Sequence, residues 1–487
     1  MGFYTEIKDF EGITWRVGDV IETGNGYLCS LRDLTSPIMT SKLVGLSSNG
    51  ELFNEKVLAP ADTTINLTSL FSCADGISVA GFGICVPPND TALLLMLCLD
   101  NELNVTRRSL SPLPMPDHDG YRLDDFKFLQ VEDGYFAMLG YLGQPTEQEI
   151  KLCKISSEGE LIAVEKMADS LVAYGATMFC AQDDPNGFGL FIGKPNNVGS
   201  HVTTRALLYD NNLQLKKVSD IANWYEDDGH GNVYLGNIRT FNSMILPSPL
   251  GGYFVSSRLD QHTVHGTTTE HDRSSVLART DNDFIIQPQY CIIGHFNDTV
   301  EVPSFYRSVD VNDEGFVYQC SMQNVNFGSW PFVNEGTHLV ITKTTMDLEM
   351  IWQRHCLKNG NVYSAFQTLA TGDGGCLVVG NVYDHNPELC QDVFLLKFNS
   401  EGNHEEGELQ DENWVLNYPN PTEGNFTILG NNLVQAEVFN ILGQRTTAAR
   451  ANDTGLALDL TGQPAGVYFV SITSQDGKRC VKKVIKQ

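Results

Sequence analysis

The chain has 487 residues, of which 19% are charged and 10% aromatic, and it carries 44 glycines and a net charge of −28. This composition is typical of an all-β protein with many turns, and the length allows two to four domains. No run of 18 apolar residues occurs, which excludes a membrane-spanning helix. The acidity, concentrated before residue 413 with 25 basic against 55 acidic residues, excludes nucleic acid as a partner because like charges repel.

A repeated pattern of strands and turns organises the first 400 residues. Each copy has a glycine turn, an apolar strand, a loop, a second strand and a second turn with Gly or Asn. The clearest copies begin at Asn25, Asp133 and Asp373, and weaker copies begin near Asp75, Asn186, Gly251 and Glu314. Seven copies at a spacing of roughly 45–65 residues, each with room for two more strands, predict a seven-bladed β-propeller.

The two ends of this region complement each other. Residues 403–407 are too polar to form a fourth strand in the last copy, whereas residues 3–10 form a spare strand at the N-terminus. We expect residues 3–10 to pair beside residues 392–399 and to close the ring, which removes two open sheet edges.

The chain divides into a propeller and a smaller C-terminal domain. The pattern predicts the propeller over 1–402, an acidic linker over 403–412 and a second domain over 413–487. The second domain has short strands and tight turns, which predicts an immunoglobulin-like β-sandwich of about seven strands.

Loop length differs between the two faces expected of the propeller. The turns between first and second strands and between third and fourth strands are short, whereas the other connections vary in length. The longest of these connections are 193–201, 259–273, 323–334 and 381–389. Long loops on a rigid scaffold concentrate binding residues, so we expect any ligand on that face.

Two aromatic segments on the long-loop face, 224–232 and 327–332, are candidate binding sites. Aromatic rings stack on sugars, and carboxylates accept hydroxyl hydrogen bonds or hold Ca²⁺. The candidate ligand-binding residues are Trp224, Tyr225, Asp227, Asp228, His230 and Trp330. An ordinary connection between blades and a two-carboxylate catalytic site remain alternatives. The EF-hand spacing is not met, so calcium is possible but no cofactor is required.

A histidine-rich segment is a candidate metal site. His262, His265 and His271 lie with two carboxylates within residues 261–272, and imidazole and carboxylate groups are zinc ligands. The spacing matches no known metal pattern, so a polar surface loop is the alternative interpretation.

Motifs for nucleophilic, metalloprotease or nucleotide chemistry are missing from the sequence, which has no G-x-S-x-G, H-E-x-x-H or P-loop. We therefore expect a non-enzymatic protein that binds an extracellular glycan or protein. The alternative is a secreted hydrolase or lyase that acts on polysaccharide or peptide, with carboxylates at the propeller mouth.

The twelve cysteines include no C-x-x-C pair. Several lie in apolar, strand-like runs, where cysteine behaves as a small hydrophobic residue. We expect mostly buried thiols, with one or two disulfides possible.

The last seventy residues carry three ordered blocks. The first contains Tyr418, Pro419, Asn420 and Pro421, the second Gly466, Val467 and Tyr468, and the third Lys482, Lys483 and Lys486. This string resembles the type A C-terminal sorting domain of the Type IX (Por) secretion system. The prolines fix an extended entry, and the alternation around Val467 suits a half-buried strand.

The resemblance implies a location and one partner. It implies export across the outer membrane by the Type IX machinery, then release or attachment at the cell surface. It also implies that the final basic strand is recognised and that the tail is cleaved between about 403 and 413. Residues 1–6 lack the basic and apolar regions of a signal peptide, so we expect that the native leader has been removed.

Overall fold

The computed structural model describes most of the chain. The described residues are 2–7, 15–33, 40–58, 64–73, 79–86, 92–114, 116, 122–143, 148–168, 174–195, 202–221, 224–227, 232–265, 268–293, 300–325, 337–356, 361–384, 391–404, 415–418, 422, 424–430, 433–441, 444–450, 456–474 and 479–486. They divide into two compact units, one of Met1–Gln353 and Lys358–Glu408 and one of Arg354–Leu357 and Leu409–Gln487.

Within the described part of unit one, every regular element is a strand, and the strands form seven antiparallel sheets. The first four sheets have four strands each. Sheet 1 contains β2 (Trp15–Thr23), β3 (Gly26–Asp33), β4 (Ser41–Leu46) and β5 (Leu52–Val57). Sheet 2 contains β6 (Thr64–Ser72), β7 (Val79–Val86), β8 (Leu93–Leu99) and β9 (Val105–Pro112). Sheet 3 contains β10 (Arg122–Val131), β11 (Gly134–Leu142), β12 (Gln148–Ile155) and β13 (Leu161–Lys166). Sheet 4 contains β14 (Tyr174–Cys180), β15 (Phe188–Pro195), β16 (Val202–Tyr209) and β17 (Leu215–Asp220).

The remaining three sheets of this unit are less regular. Sheet 5 contains β18 (Trp224–Asp227), β19 (Asn232–Pro247), β20 (Tyr253–His265), β21 (Thr268–Thr280) and β22 (Ile286–Ile293). Sheet 6 contains β23 (Val302–Pro303), β24 (Val309–Val311), β25 (Phe316–Gln323), β26 (His338–Thr345) and β27 (Met350–Cys356). Sheet 7 contains β28 (Asn361–Ala370), β29 (Cys376–Asp384), β30 (Gln391–Phe398) and the N-terminal β1 (Phe3–Ile7).

The N-terminal strand closes the last sheet, as the sequence predicted. β1 pairs antiparallel with β30, from Phe3 opposite Lys397 to Ile7 opposite Val393. The strand covers 3–7, shorter than the expected 3–10, and residues 8–10 lie outside the described residues. Paired in this way, β30 is not a free sheet edge.

The sheets contact one another in chain order, and sheet 7 contacts sheet 1. The first strand of sheet 1, for example, contacts the first strands of both neighbouring sheets, since β2 contacts β6 and β28. Buried apolar clusters lie between successive sheets; the cluster between sheets 7 and 1, for example, joins Phe366 and Leu395 to Val17 and Leu31. This arrangement supports the predicted β-propeller fold.

One turn type recurs among the described residues of all seven sheets: after the third strand in sheets 1–4, after the fourth strand in sheets 5 and 6, and after β30 in sheet 7. In each copy the first residue donates its N–H to the fifth carbonyl, and the fourth donates to the first carbonyl. The fourth residue has positive φ, for example 83° at Gly50 and 61° at Leu103, which makes a three-residue hairpin loop with a bulge. The copies are 47–51, 100–104, 156–160, 210–214, 281–285, 345–349 and 399–403.

In the described part of unit two, seven strands form two sheets around one core. The first sheet contains β31 (Val415–Tyr418), β32 (Asn425–Gly430) and β35 (Leu456–Asp459). The second contains β33 (Leu433–Asn440), β34 (Arg445–Arg450), β36 (Gly466–Ser474) and β37 (Arg479–Lys486). Phe426 and Leu458 of the first sheet and Val438 and Val470 of the second share one buried cluster.

Candidate functional site

The segments predicted as long loops in sheet 5 are strands. Trp224, Tyr225 and Asp227 lie in β18, which pairs with β19, so this segment is an added strand and not an irregular connection. Nothing is described of their side chains, and Asp228, His230 and Trp330 lie outside the described residues. The expectation of a loop was wrong because β19 is 16 residues long and offers a further edge for pairing.

The histidine-rich segment is also extended strand. It forms the paired ends of β20 and β21, where His262 lies opposite His271 and His265 lies opposite Thr268. Among the described side chains, no group of three His, Cys, Asp or Glu residues could hold a metal ion.

The recurrent turns use their polar groups in contacts between sheets. Thr5 Oγ1 donates to Gly50 O at 2.8 Å, and Ser109 Oγ donates to Gly159 O at 2.9 Å. Trp352 Nε1 likewise donates to Ser400 O at 3.1 Å. Related bonds lead from sheet 1 to 2, from sheet 4 to 5 and from sheet 5 to 6. At this end of the strands, the carbonyl and side-chain groups of the turns form hydrogen bonds that hold neighbouring sheets together.

The described chain has a cluster of cationic and aromatic side chains nearer the other end of the first strands. Arg16 on β2 lies opposite Arg32 on β3. Arg32 Nη2 donates to Tyr306 Oη at 3.1 Å, and Arg16 Cζ lies 5.1 Å from the centre of the Phe366 ring. Tyr306 also packs on Phe366, with ring centres 5.3 Å apart. We call Arg16, Arg32, Tyr306 and Phe366 the arginine cluster.

The arginine cluster changes the ionisation of its members. Burial opposes the ionisation of Tyr306, but Arg32 and Arg16 outweigh it and lower the pKa of Tyr306 below its ordinary value. Burial lowers the pKa of Arg16, and the nearby charge of Arg32 acts in the same direction. Tyr306 is 39% exposed, so solvent reaches the cluster.

Two carboxylates with little exposure to solvent lie on inner strands of the body: Asp19 on β2 is buried, and Asp310 on β24 is half-buried. Asp19 accepts backbone N–H groups from Val20 and Leu70, both at 2.8 Å, and lies 3.8 Å from Arg307. Asp310 accepts the N–H of Ala370 at 2.9 Å. Burial raises the pKa of both carboxyls, and Arg307 acts against the rise. Each carboxylate joins its own sheet to the next, which is a bracing role.

These inner residues were missed by the sequence interpretation. The available signal was a charged residue within an apolar strand, as at Arg16 between Trp15 and Val17, because charged side chains are seldom buried without partners. The hairpin around Gly24 and Asn25 also places Arg32 near Arg16.

A pocket of about 410 Å³ lies between sheets 2 and 3, at the end of the strands that carries the short turns. Its lining includes Cys73, Cys98, Arg107 and Tyr135. Arg107 is already paired with Glu158. Of the nine cysteines whose side chains the structure describes, seven are buried, and burial raises the pKa of Cys153 to about 12.

In unit two the second and third predicted blocks pair with each other. Tyr468 on β36 is buried, and its hydroxyl donates to Pro464 O at 2.7 Å, while Val467 beside it is half-buried. Gly466 starts the strand with a φ of 152°. Tyr418 lies in β31, and Pro419, Asn420 and Pro421 lie outside the described residues.

The three lysines of the last strand do not form one basic edge. Lys486 is buried, and its Nζ donates to the carbonyl oxygens of Thr461 and Gln463. Lys486 therefore has a structural role in this unit.

The comparisons identify the C-terminal region. Residues 417–487 match the family of the secretion system C-terminal sorting domain, and this confirms the resemblance to the Type IX tail. This tail indicates export to the cell surface or beyond. No curated protein matches the chain significantly. Among the described residues, no helix has the length and apolarity needed to cross a membrane.

Several solved structures are similar to the chain at low identity. The β-propeller domain of the Trilobed protease from Pyrococcus furiosus is 10% identical, with 82% of this chain and 99% of that chain covered and a TM-score of 0.39. The WD40 domain of SCAP from fission yeast is 11% identical, with 80% and 83% covered and a TM-score of 0.35. The acylaminoacyl peptidase of Pyrococcus horikoshii is 9% identical, with 86% and 58% covered and a TM-score of 0.40.

Proposed function

We propose that this protein is a secreted or surface-attached binding protein of the Type IX pathway. Its body, residues 1–402, is proposed to be one ring of seven blades closed by β1. Residues 413–487 are proposed to be an immunoglobulin-like sandwich that the export machinery recognises, joined to the body through residues 403–412. The match over 417–487 supports the export role.

Ligand binding is assigned to the end of the strands opposite the recurrent turns. One observation carries this assignment: the turn end uses its polar groups in hydrogen bonds between sheets, whereas the opposite end holds the exposed Tyr306 and the arginine cluster. Sheet 5 adds β18 and the long β20–β21 hairpin at that end. We expect an extracellular glycan or protein as the ligand.

A screen of the body on a glycan array and against extracellular proteins tests the proposal. Once a ligand is found, alanine at Trp224 or Tyr225 should weaken binding by about 1 kcal/mol or more if the ring is stacked on it. Matched alanine changes at Asn49 and Glu158 in the recurrent turns serve as controls. A larger loss from the turn variants would overturn the assignment of the face.

A secreted hydrolase remains the second candidate, and the raised pKa values of Asp19 and Asp310 are the observation that favours it. General acids in glycoside hydrolysis have raised pKa values. The contrary observation is that both carboxylates accept backbone N–H groups. Activity on polysaccharides or peptides that Asp310→Asn abolishes without loss of folding would establish the enzyme.

A further inference from the structure

The arginine cluster is unusual in a body that carries 25 basic and 55 acidic residues. Two guanidinium groups lie opposite each other at one end of one hairpin, on β2 and β3. Lys127 of sheet 3 also acts on Tyr306, although Lys127 lies 3.9 Å from Asp125 of its own strand. Like charges brought together cost free energy unless an opposite charge joins them.

The hydrogen-bond partners of Arg32 are neutral. Its guanidinium donates to Tyr306 Oη at 3.1 Å and to Asn66 Oδ1 at 3.5 Å. In the described ranges no carboxylate forms a salt bridge with Arg32, and its buried Nε has no hydrogen-bond partner. A guanidinium offers five N–H groups in a fork that matches an oxyanion, so this one retains donors for a ligand.

Tyr383 provides a second, independent observation. It is 5% exposed, and its hydroxyl is buried without a hydrogen-bond partner among the described residues. Its strand, β29, contacts β2, which carries Arg16, and Asn381 Nδ2 of β29 donates to Trp15 O at 2.7 Å. Buried hydroxyls are nearly always hydrogen-bonded in native proteins, and a missing partner calls for an explanation such as a ligand.

We propose that the arginine cluster, together with Tyr383, binds the oxyanion of a small ligand: a carboxylate, sulfate or phosphate group. Guanidinium groups form paired, charge-assisted hydrogen bonds with such groups, and the 39% exposed ring of Tyr306 provides an apolar wall. The surrounding acidic surface disfavours long polyanions. A small anion is affected less, because charges farther away than about 8 Å are largely screened at physiological salt. The inference rests on the proposed binding function and adds the charge class of its ligand.

The test is a titration of the full chain with sodium phosphate, sulfate, citrate and galacturonate, at ionic strength held constant with sodium chloride. Thermal unfolding and calorimetry measure binding, since a ligand of the native state raises the midpoint of unfolding. We expect saturable stabilisation by at least one of these anions. The anion that binds tightest separates a carboxylate source from a sulfate or phosphate source.

Three variants sharpen the test. Arg32→Gln should raise the Kd by about tenfold or more, because a hydrogen bond to a charged group is lost. Tyr383→Phe should weaken binding without affecting folding, since its hydroxyl has no hydrogen-bond partner among the described residues. Arg205→Gln is the control: it removes a guanidinium that pairs with Asp220 in sheet 4, and it should leave the Kd unchanged.

The proposal is overturned if no anion stabilises the protein beyond chloride, or if Arg32→Gln and Tyr383→Phe keep wild-type affinity. If Arg32→Gln does not fold, unchanged affinity in Tyr383→Phe alone overturns it. Failure of the wider function is distinguishable: anion binding with no glycan or protein ligand supports this site and counts against extracellular recognition. If a glycan ligand is found and binds Arg32→Gln as tightly as wild type, the wider binding function is supported and the anion site is contradicted.

Discussion

The aromatic ring of Phe3 occupies the space that a side chain on Gly50 would fill. Phe3 belongs to the closing strand β1, and Gly50 is the positive-φ residue of turn 47–51. At the same position of two other turns stand Leu103 and Leu348, each only 5% exposed. The space beside the positive-φ residue is thus filled by that residue's own side chain in the turns with leucine. In turn 47–51 it is filled by Phe3 of the neighbouring sheet.

Removing the Phe3 ring should destabilise the body strongly. Phe3→Ala empties a buried site, which typically costs about 3–5 kcal/mol. Phe53→Ala is the matched control, because Phe53 is 49% exposed and its loss should change stability by only about 0.5 kcal/mol. Urea unfolding of both variants measures the difference, and equal effects would contradict the role of β1 in closure.

Gly50→Leu should be tolerated only when Phe3 is small. Alone, it forces a side chain against the ring at a φ of 83°, so we expect severe destabilisation. Combined with Phe3→Ala, the leucine can occupy the vacated space, as Leu103 does in its own turn. A double-mutant cycle should give a favourable coupling of about 0.5–3 kcal/mol, and strict additivity would refute the exchange.

This turn also shows how far sequence alone could lead. The copies with Gly50, Gly159 and Gly402 were recognisable because glycine is the usual residue at positive φ. The copies with Leu103 and Phe284 could not be recognised, because they have no glycine at the positive-φ position. In these turns a large side chain is buried at that position instead. The pairing of β1 with β30 was predictable because the sequence shows both a spare strand at the N-terminus and a missing strand after residue 402.

The candidate site was less predictable. The residue types at Trp224, Tyr225 and His262 suggested binding. Their composition predicted loops, but these segments pair with neighbouring strands and are therefore strands. Arg16 and Arg32 come together through a bulged hairpin register, and Tyr306 joins them from a distant sheet. Contacts at such separation leave no periodic signal in one sequence.

The Asp373–Lys397 pair should stabilise the body above acidic pH. Lys397 is fully buried and donates to both Asp373 oxygens, at 2.8 and 2.9 Å. Burial acts to raise the pKa of Asp373, but these hydrogen bonds lower it below its usual value. The stabilisation is therefore present above pH of about 4 and is lost as the pH falls through the lower, folded-state pKa.

Asp373→Asn should remove this pH dependence. We expect a cost of about 1–3 kcal/mol at pH 7, below that of a fully buried pair because Asp373 is 44% exposed. Asp347→Asn, at the exposed pair with Arg279, is the control and should cost little. Urea unfolding between pH 3 and 7 gives both results; an unchanged acid slope in Asp373→Asn would disprove the assignment.

Lys343→Met should be nearly neutral despite removing a buried charge. Lys343 Nζ donates to the carbonyls of Gly374 and Ser400, which also accept hydrogen bonds from Tyr318 and Trp352. We therefore expect a loss of only about 1 kcal/mol, since both carbonyls keep a donor. A loss several times larger in urea unfolding would mean that the ammonium itself is essential.

The same variant should alter alkaline stability. Burial lowers the pKa of Lys343, so the unfolded chain binds more protons between the folded-state pKa and about 10.4. Stability from this residue thus rises with pH in that window, and Lys343→Met should lack the rise. Denaturation curves from pH 8 to 10.5 compare the two proteins, and parallel curves would contradict the expectation.

Deletion of residues 414–487 should abolish export and leave a folded body in the periplasm. Deletion of 482–487 should do the same, partly because Val484 and Lys486 belong to the core of unit two. Replacing Lys482 and Lys483 with glutamine keeps the strand and removes charge. Cell fractionation reads the location; normal delivery of this double variant would show that the machinery does not read those charges.

Because β1 pairs with β30, the first strand of the body finds its partner only when nearly the whole body has been made. A polypeptide that stops anywhere before Gln391 has no partner for its first strand, however well its middle sheets have formed. Such a fragment would expose two unpaired strand edges, the surfaces on which aggregation starts. Truncated or clipped molecules should thus be distinguishable from intact ones by protease sensitivity at their N-terminus, far from the break itself.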